Sequence, residues 1–151
     1  MKLQLAKLLV ASVISVSAAT ASEKELPPLQ EVYTSANRDT GLPYLAVRCA
    51  GYFGAVLYDQ THDESNTAFI KDMLKARIAD LIEYAIQLRT FGMPDAEATS
   101  ETEKIHQEMV GFVDAYNEIM AQNLQLFGSR TPDGSGIASD QALCVSFSVT
   151  L

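Results

Sequence analysis

The chain contains two cysteines, Cys49 and Cys144, and the distance between them in sequence constrains the fold more than any other feature. In an exported protein, two cysteines allow one intramolecular pairing, which an oxidising compartment favours. That bond would close a loop of about 95 residues and stabilise the folded state by roughly 4 to 5 kcal/mol. The alternatives are two buried free thiols and a bridge between two chains. The sequence has no Cys-x-x-Cys motif, which argues against a redox enzyme and against c-type haem attachment.

Residues 1–21 have the pattern of a secretion signal. Lys2 and Lys7 give a basic start, an apolar run covers 8–16, and Ala19-Thr20-Ala21 fits the small-residue cleavage pattern. The competing interpretation is an uncleaved anchor, but the apolar run is shorter than the roughly 20 residues that span a bilayer. We therefore predict a signal peptide over 1–21, a periplasmic or secreted mature protein, and no membrane span after cleavage.

The mature chain is acidic. The whole sequence has 11 Lys and Arg residues against 19 Asp and Glu, a net charge of −8, and removal of the two signal lysines changes this to −10. A nucleic-acid partner requires clustered basic residues, so the composition argues against one and equally against adhesion to an anionic membrane. About 130 mature residues without an internal repeat predict a single domain.

The residues between the signal and the first core helix are polar and include Pro27-Pro28. We predict a mobile leader over 22–39, in which Leu29 to Ala36 form one or two helical turns that fold onto the body. Thr40-Gly41-Leu42-Pro43 has the pattern of a helix start, because a proline in the first turn loses no hydrogen bond. The predicted bundle domain therefore covers 40–151. Its first helix carries an apolar stripe that places one cysteine in the core: Leu45, Cys49, Tyr52, Phe53, Val56 and Leu57.

Two longer apolar stripes predict two further helices. The first of them runs from about Thr67 to Phe91, where Gly92 and Pro94 are placed to end it. Ser100-x-x-Glu103 then fits a capping box for the next helix, and Gly128 fits its C-terminal cap. A short connection between two long helices is typical of an antiparallel hairpin.

The C-terminal segment allows two interpretations. Residues 128–140 are rich in Gly, Ser, Pro and Asp and predict an exposed loop. Ser139 or Asp140 would then cap a short helix that contains Cys144, although residues 143–151 also alternate like a strand. A lone strand would have no partner, so we favour a short helix and an extended tail. The predicted fold is a small all-α helical bundle around a long antiparallel hairpin, with one disulfide from the first core helix to the C-terminal segment.

Two short motifs carry a resemblance to known proteins. Arg48-Cys49-Ala50 in the first core helix and Asp140-x-x-x-Cys144 near the end resemble small uncharacterised exported helical proteins of marine bacteria and their phages. The resemblance extends over most of the mature chain. It implies the Cys49–Cys144 disulfide and a helical fold, but it implies no activity, and no functional residue carries over.

One helical motif partly fits a cofactor site. Glu103-x-x-His106 has the i, i+3 spacing of ligands in di-iron bundles, but that site needs the motif twice, and the second helix offers only Asp80-x-x-Glu83. A haem held by His106 and Met73 or Met109 is chemically conceivable. Methionines at helical spacing are more often core residues, so no cofactor is predicted.

Two loops partly fit a metal site. Asp133-Gly134-Ser135-Gly136 resembles the middle of a calcium loop, but Thr131 and Ala142 would occupy its first and last ligand positions. The first interhelical loop contains a polar cluster whose ordinary explanation is solvation: Asp59, His62, Asp63 and Glu64. We predict no metal site.

The sequence also lacks the patterns of nucleophilic catalysis. His62 and His106 are the only conventional bases, and no serine lies in a Gly-x-Ser-x-Gly elbow, so we predict no catalytic residues and no enzyme.

The leading hypothesis is a protein-interaction module of the inhibitor, immunity or accessory type, with a protein partner in the envelope. One alternative is a bundle that binds an apolar ligand or cofactor near Met73, Met109, Met120, Phe112 and Tyr116. Another is an envelope stress chaperone that exposes apolar surface as carboxylates protonate at low pH.

Overall fold

The computed structural model describes residues 26–31, 38–61 and 68–151, and in these ranges the chain forms helices and no strand. The long helices are α1 (Arg38–Thr61), α2 (Ala68–Thr90), α3 (Asp95–Phe127) and α4 (Gly136–Ser148), and residues 29–31 form a further helical turn. The predicted all-α fold is confirmed. The predicted signal peptide over 1–21 lies outside the described residues, as do His62, Asp63 and Glu64.

Helix α1 is central, because it packs against each of the other three helices. Residues 45–50 are each no more than 1% exposed. A Cβ atom at Gly51 would overlap the Cβ of Phe112 and lie 3.2 Å from the carbonyl oxygen of Met109. A Cβ at Gly54 would lie 2.7 Å from Cγ2 of Val113. The two glycines therefore allow α3 to cross α1 at close range.

The start of α1 differs from the prediction. The helix begins at Arg38, so Pro43 lies inside it rather than at its first position. Pro43 is the sixth residue of α1, so its missing N–H costs one main-chain hydrogen bond of the helix, but residues 38–42 before it are still helical. The helix therefore extends further towards the N-terminus than the proline suggested.

Helices α2 and α3 form the predicted antiparallel hairpin. Gly92 has a φ of 75° in the connection, and Gly128 has a φ of 70° after α3. The N–H of Gly128 donates to the carbonyl of Leu124 at 3.0 Å. Both glycines adopt the left-handed conformation that ends a helix, which confirms the two predicted stops.

The predicted capping box at Ser100 and Glu103 is wrong. Helix α3 begins at Asp95, with Pro94 as the N-cap residue, so Ser100 lies within the helix. The segment 95–99 is Asp-Ala-Glu-Ala-Thr, and its acidic residues lie in the first turn, where the helix dipole favours negative charge. Alanine and glutamate are also good helix formers, which explains the earlier start.

The C-terminal helix also begins earlier than predicted. Ser135, not Ser139 or Asp140, is the N-cap of α4, and its side chain accepts from the N–H of Ala138 at 3.3 Å. The predicted loop over 128–140 therefore ends at Ser135. A C-terminal helix that contains Cys144 is confirmed, but the predicted extended tail is not, because the helix continues to Ser148 and Val149 has a φ of −84° and a ψ of −15°. The guanidinium of Arg77 on α2 donates to the carbonyl of Ser148 at 2.9 Å and fastens the end of α4.

Residues 26–31, which we call the N-terminal strap, lie against the bundle. They belong to the leader predicted over 22–39, of which 22–25 and 32–37 lie outside the described residues. The side chain of Leu29 is fully buried and is part of the hydrophobic core. The strap therefore contributes to the packing of the domain. None of the helices that the structure describes is both long and apolar enough to cross a membrane.

Candidate functional site

The predicted disulfide between Cys49 and Cys144 is present. The two sulfur atoms are 2.07 Å apart and the two Cα atoms 5.2 Å apart. Both side chains are fully buried. The bond joins the middle of α1 to α4 and confirms the predicted tie between the first core helix and the C-terminal segment.

A buried ion pair lies next to the disulfide. Nη2 of Arg48 donates to Oδ2 of Asp140 at 2.6 Å, and the side chains are 1% and 5% exposed. The hydroxyl of Tyr116 donates to the same oxygen at 2.6 Å and accepts from Nε of Arg48 at 3.0 Å. We call these three residues, one each from α1, α3 and α4, the ion-pair network. A buried ion pair needs such additional hydrogen bonds to offset the loss of hydration.

The N-terminal strap completes the ion-pair network. Nη1 of Arg48 donates to the carbonyl of Pro27 at 2.6 Å, and the N–H of Leu29 donates to Oδ1 of Asp140 at 3.1 Å. Nη1 of Arg48 also lies 3.5 Å from the hydroxyl of Tyr44. Both oxygens of the carboxylate therefore accept hydrogen bonds, and the guanidinium donates from all three of its nitrogens.

Burial and charge shift the pKa values of the groups in this region. Burial lowers the pKa of Arg48, but Tyr116, Asp140 and Tyr44 outweigh it and raise that pKa above its usual value. Burial raises the pKa of Tyr116, and the charge of Asp140 raises it further, against an opposing effect of Arg48. Burial and Asp140 also raise the pKa of Tyr52 to about 12. Arg48 therefore stays charged, and both phenols stay protonated at neutral pH.

The side chains of the ion-pair network bind one another and so connect separate elements of the fold. The hydroxyl of Tyr116 is protonated and donates a hydrogen bond to Asp140, so it is not available as a base. Arg48 and Asp140 neutralise each other and are covered by the strap. These contacts hold α1, α3, α4 and the strap in one arrangement.

A charged residue in an apolar run is the feature of the sequence that could have predicted this network. Arg48 interrupts the apolar run from Leu45 to Ala50, and a charge in such a run requires a buried counterion. Asp140 lies one helical turn before Cys144, close to the point where a disulfide would bring the chain back to α1. The sequence patterns named Arg48 only within a short motif and Asp140 as a possible helix cap, and neither pattern paired the two residues.

A surface cleft of about 650 Å³ adjoins the network. Its walls are Leu26–Pro28 of the strap, one face of α3, and the beginning of α4, and Tyr116 and Asp140 also line it. The lining residues of α3 recur at intervals of three or four, as expected for one helix face: Ala115, Glu118, Ile119 and Gln122. The same spacing continues to Leu126, which lies beyond the cleft and is 74% exposed.

His106 and Met109 line a common surface pocket of about 290 Å³, but the carboxylates that partly fitted a di-iron site are not gathered with them in the described residues. Glu103 and His106 are exposed on α3, and Nδ1 of His106 lies 2.8 Å from the carbonyl of Thr102. Asp80 and Glu83 are exposed on α2. Among the residues whose positions the structure gives, no group of three or more His, Cys, Asp and Glu could hold a metal ion.

The residues of the calcium-like loop shape the chain, and those of the ligand hypothesis lie in different places. Gly134 turns the chain with a φ of 75°, and Ser135 caps α4. Met120 lies in the core, whereas Met73 is exposed, so the methionines of the ligand hypothesis do not share one surface. Of the residues named in that hypothesis, Tyr116 alone lines the 650 Å³ cleft.

Comparisons with protein-family models, curated proteins and solved structures find no match for this chain. The resemblance to small exported proteins of marine bacteria and their phages therefore stays a prediction.

Proposed function

We propose that this chain is an exported protein-interaction module, periplasmic or secreted, and that the cleft and the adjoining face of α3 are its contact surface. The observation that carries the proposal is that the face of α3 that lines the cleft continues beyond it to the exposed side chain of Leu126. An exposed apolar side chain in line with a cleft is typical of a surface that a partner covers.

Two features support export. The disulfide is of the kind that forms and persists in oxidising compartments. Residues 1–21 have the composition of a signal peptide. In this proposal the disulfide keeps α4, one wall of the contact surface, in place outside the cytoplasm.

The lining of the cleft suits a protein segment. Ala115 and Ile119 give it an apolar part, and the side-chain amides of Gln122 and Asn123 add donors and acceptors. Glu118 is exposed and adds a negative charge. A mixture of apolar surface, amides and a charge is typical of surfaces that bind a peptide or a partner loop. Tyr116 and Asp140 have their hydrogen bonds satisfied within the chain, which favours a binding role over an enzymatic one.

Site-specific photo-crosslinking tests the proposal. A benzoylphenylalanine replaces Leu126 in one full-length variant and Val110 in a matched control, and both are irradiated in envelope extract of the host. Val110 lies on α3 and is 52% exposed, but it faces about 160° away from Leu126. We expect a discrete adduct at 126 that excess unmodified protein suppresses, and none at 110. Equal adducts at both positions, or none at either, would contradict the proposal.

The volume of the cleft favours one second candidate, a site for a small apolar or amphipathic ligand. About 650 Å³ lies within the range of small-molecule sites. Native mass spectrometry of protein purified from its host tests this candidate. A non-covalent adduct that is lost on denaturation, and is absent from an Ile119→Arg variant, would support it. A bare protein mass would leave the interaction module as the better account.

A further inference from the structure

The N-terminal strap is held in the way that a binding site holds a peptide. Two long-range hydrogen bonds join its main chain to side chains of other elements: Nη1 of Arg48 donates to the carbonyl of Pro27, and the N–H of Leu29 donates to Oδ1 of Asp140. Pro28, which lies between these two groups, has no N–H that would need a partner. The carbonyl of Pro28 accepts from the N–H of Glu31 at 3.0 Å and closes a turn.

One side chain of the strap supplies most of its apolar contact. Leu29 is fully buried, whereas Pro27 and Pro28 are exposed. Adjacent prolines restrict the segment to extended conformations, which reduces the entropy lost when it is fixed in place. The strap therefore combines a rigid main chain, recognised at two points, with one fully buried side chain, Leu29, and the partly buried side chain of Leu26. Peptide ligands of proline-binding domains share these properties.

We infer that the ion-pair network and the pocket of Leu29 form a binding site for a Leu-Pro-Pro-Leu segment, and that this site accepts the strap of a second copy of the chain. The occupant is argued from the structure itself, because the chain's own strap is seated there. A second copy presents the same segment and the same site, so two chains exchange straps reciprocally.

Exchange competes with the intramolecular contact. Each strap is joined to its own α1 through residues 32–37, and a short tether of this kind gives an effective concentration of about millimolar. Trans binding is therefore weak in the wild-type chain and strong only where the chain's own strap is weakened. The inference does not depend on the proposed function. Leu26–Pro28 form one wall of the cleft, so the two sites adjoin, but the hydrogen bonds that hold the strap involve Arg48 and Asp140 and not the exposed face of α3 that leads to Leu126.

A peptide titration tests the inference. The full-length Leu29→Asp variant, in which the chain's own anchor is unsuited to the apolar pocket, is titrated with a fluorescent peptide of residues 26–31, Leu-Pro-Pro-Leu-Gln-Glu. The control peptide carries the same Leu29→Asp change, and the wild-type protein is titrated in parallel. We expect saturable binding of the first peptide to the variant, at least about tenfold weaker binding of the control peptide, and weaker binding to the wild type. No binding to the folded variant, or equal binding of the two peptides, would overturn the inference.

A second measurement covers the case in which the Leu29→Asp variant does not fold. Hydrogen exchange of the wild-type protein compares the N–H of Leu29 with that of Cys49 in the middle of α1. We expect Leu29 to exchange faster, because the strap must leave its site without global unfolding if it is to be exchanged. Equal protection of the two N–H groups would show that the strap opens only with the whole domain and would overturn the inference.

Discussion

Arg48 and Asp140 form their ion pair within one helical turn of the disulfide, because Arg48 precedes Cys49 directly and Asp140 lies four residues before Cys144. Helices α1 and α4 are thus joined twice at one place, once by charge and once covalently. The two helices otherwise contact each other less extensively than α1 contacts α2 or α3. Helix α4 also contributes Ile137 to the core and packs Phe147 against the ring of Tyr84, so the two links act together with these apolar contacts and with the contact of Arg77 with Ser148.

The Asp140→Asn variant should be strongly destabilised. The substitution leaves the charge of Arg48 buried without a counterion, which costs about 3 to 5 kcal/mol of unfolding free energy. Urea unfolding followed by circular dichroism measures the loss. The double variant Arg48→Met with Asp140→Leu removes both charges and should lose less stability than the single variant. A single variant as stable as wild type would show that the ion pair does not contribute.

Loss of the disulfide should lower stability by about 4 to 5 kcal/mol, because the unfolded chain regains the entropy of a long loop. The sequence separation of the two cysteines is 95 residues. Guanidinium unfolding with and without a reductant measures the change, and a Cys49→Ser, Cys144→Ser double variant should match the reduced protein. Thiol titration of the oxidised protein under denaturing conditions should find no free thiol, and two free thiols would contradict the bond.

The Gly51→Ala variant should be destabilised by about 1 to 3 kcal/mol or more, because the added methyl group overlaps Phe112 and forces α1 and α3 apart. Gly111→Ala is the matched control. Gly111 also lies within a helix, but a Cβ there meets no atom within 4 Å. The control should gain up to about 1 kcal/mol from improved helix propensity. Thermal unfolding of the two variants should therefore shift in opposite directions.

Alkaline pH should destabilise the fold through Tyr52 and Tyr116. Both pKa values are raised in the folded state from the ordinary tyrosine value of 10.0, mainly by burial. Their contribution to stability is fully present below pH 10 and is lost as pH rises towards the folded-state pKa, about 12 for Tyr52. Phenolate absorbance should show that these two tyrosines ionise together with unfolding. Tyr52→Phe and Tyr116→Phe variants assign the two signals, and normal titration in the folded state would contradict the prediction.

Acid should weaken the connection between α2 and α3. Arg89 binds Glu101 and Glu108, and its hydrogen bond to Glu101 lowers the pKa of that carboxyl below 4.5. The resulting stability is present above pH 4.5 and is lost as pH falls through the folded-state pKa. The pair is partly exposed, so the loss should be below about 1 kcal/mol. Glu101→Gln should remove this part of the acid dependence, whereas Glu103→Gln, at an exposed position, should not.

The sequence predicted the features that local patterns specify. Gly92 and Gly128 each follow an apolar stripe and supply the left-handed conformation that ends a helix, and both were identified correctly. The disulfide was predictable because an exported chain with two cysteines has one possible intramolecular bond. The capping box at Ser100 failed because residues 95–99 favour helix and continue it upstream. A capping motif does not start a new helix when the residues before it already form one.

The candidate site was less predictable, because its parts are far apart in the chain. The ion-pair network joins residues separated by 92 positions, and the strap is separated from Asp140 by 111. No periodicity within a single helix relates them. The charge of Arg48 in an apolar run predicts that a partner exists, but which of the acidic residues is the partner follows only from the packing of the helices.

The separation of Arg48 from its counterion sets an order for the assembly of the domain. While the polypeptide is being made, Arg48 leaves the ribosome 92 residues before Asp140, so this buried charge has no partner during most of synthesis. The α2–α3 hairpin depends on nearby contacts and can form early, whereas long-range contacts are reached slowly. The ion-pair network can therefore be completed only after α4 has been synthesised. A polypeptide that stays open until its last helix is available suits passage through a narrow translocation channel, as the proposed export requires.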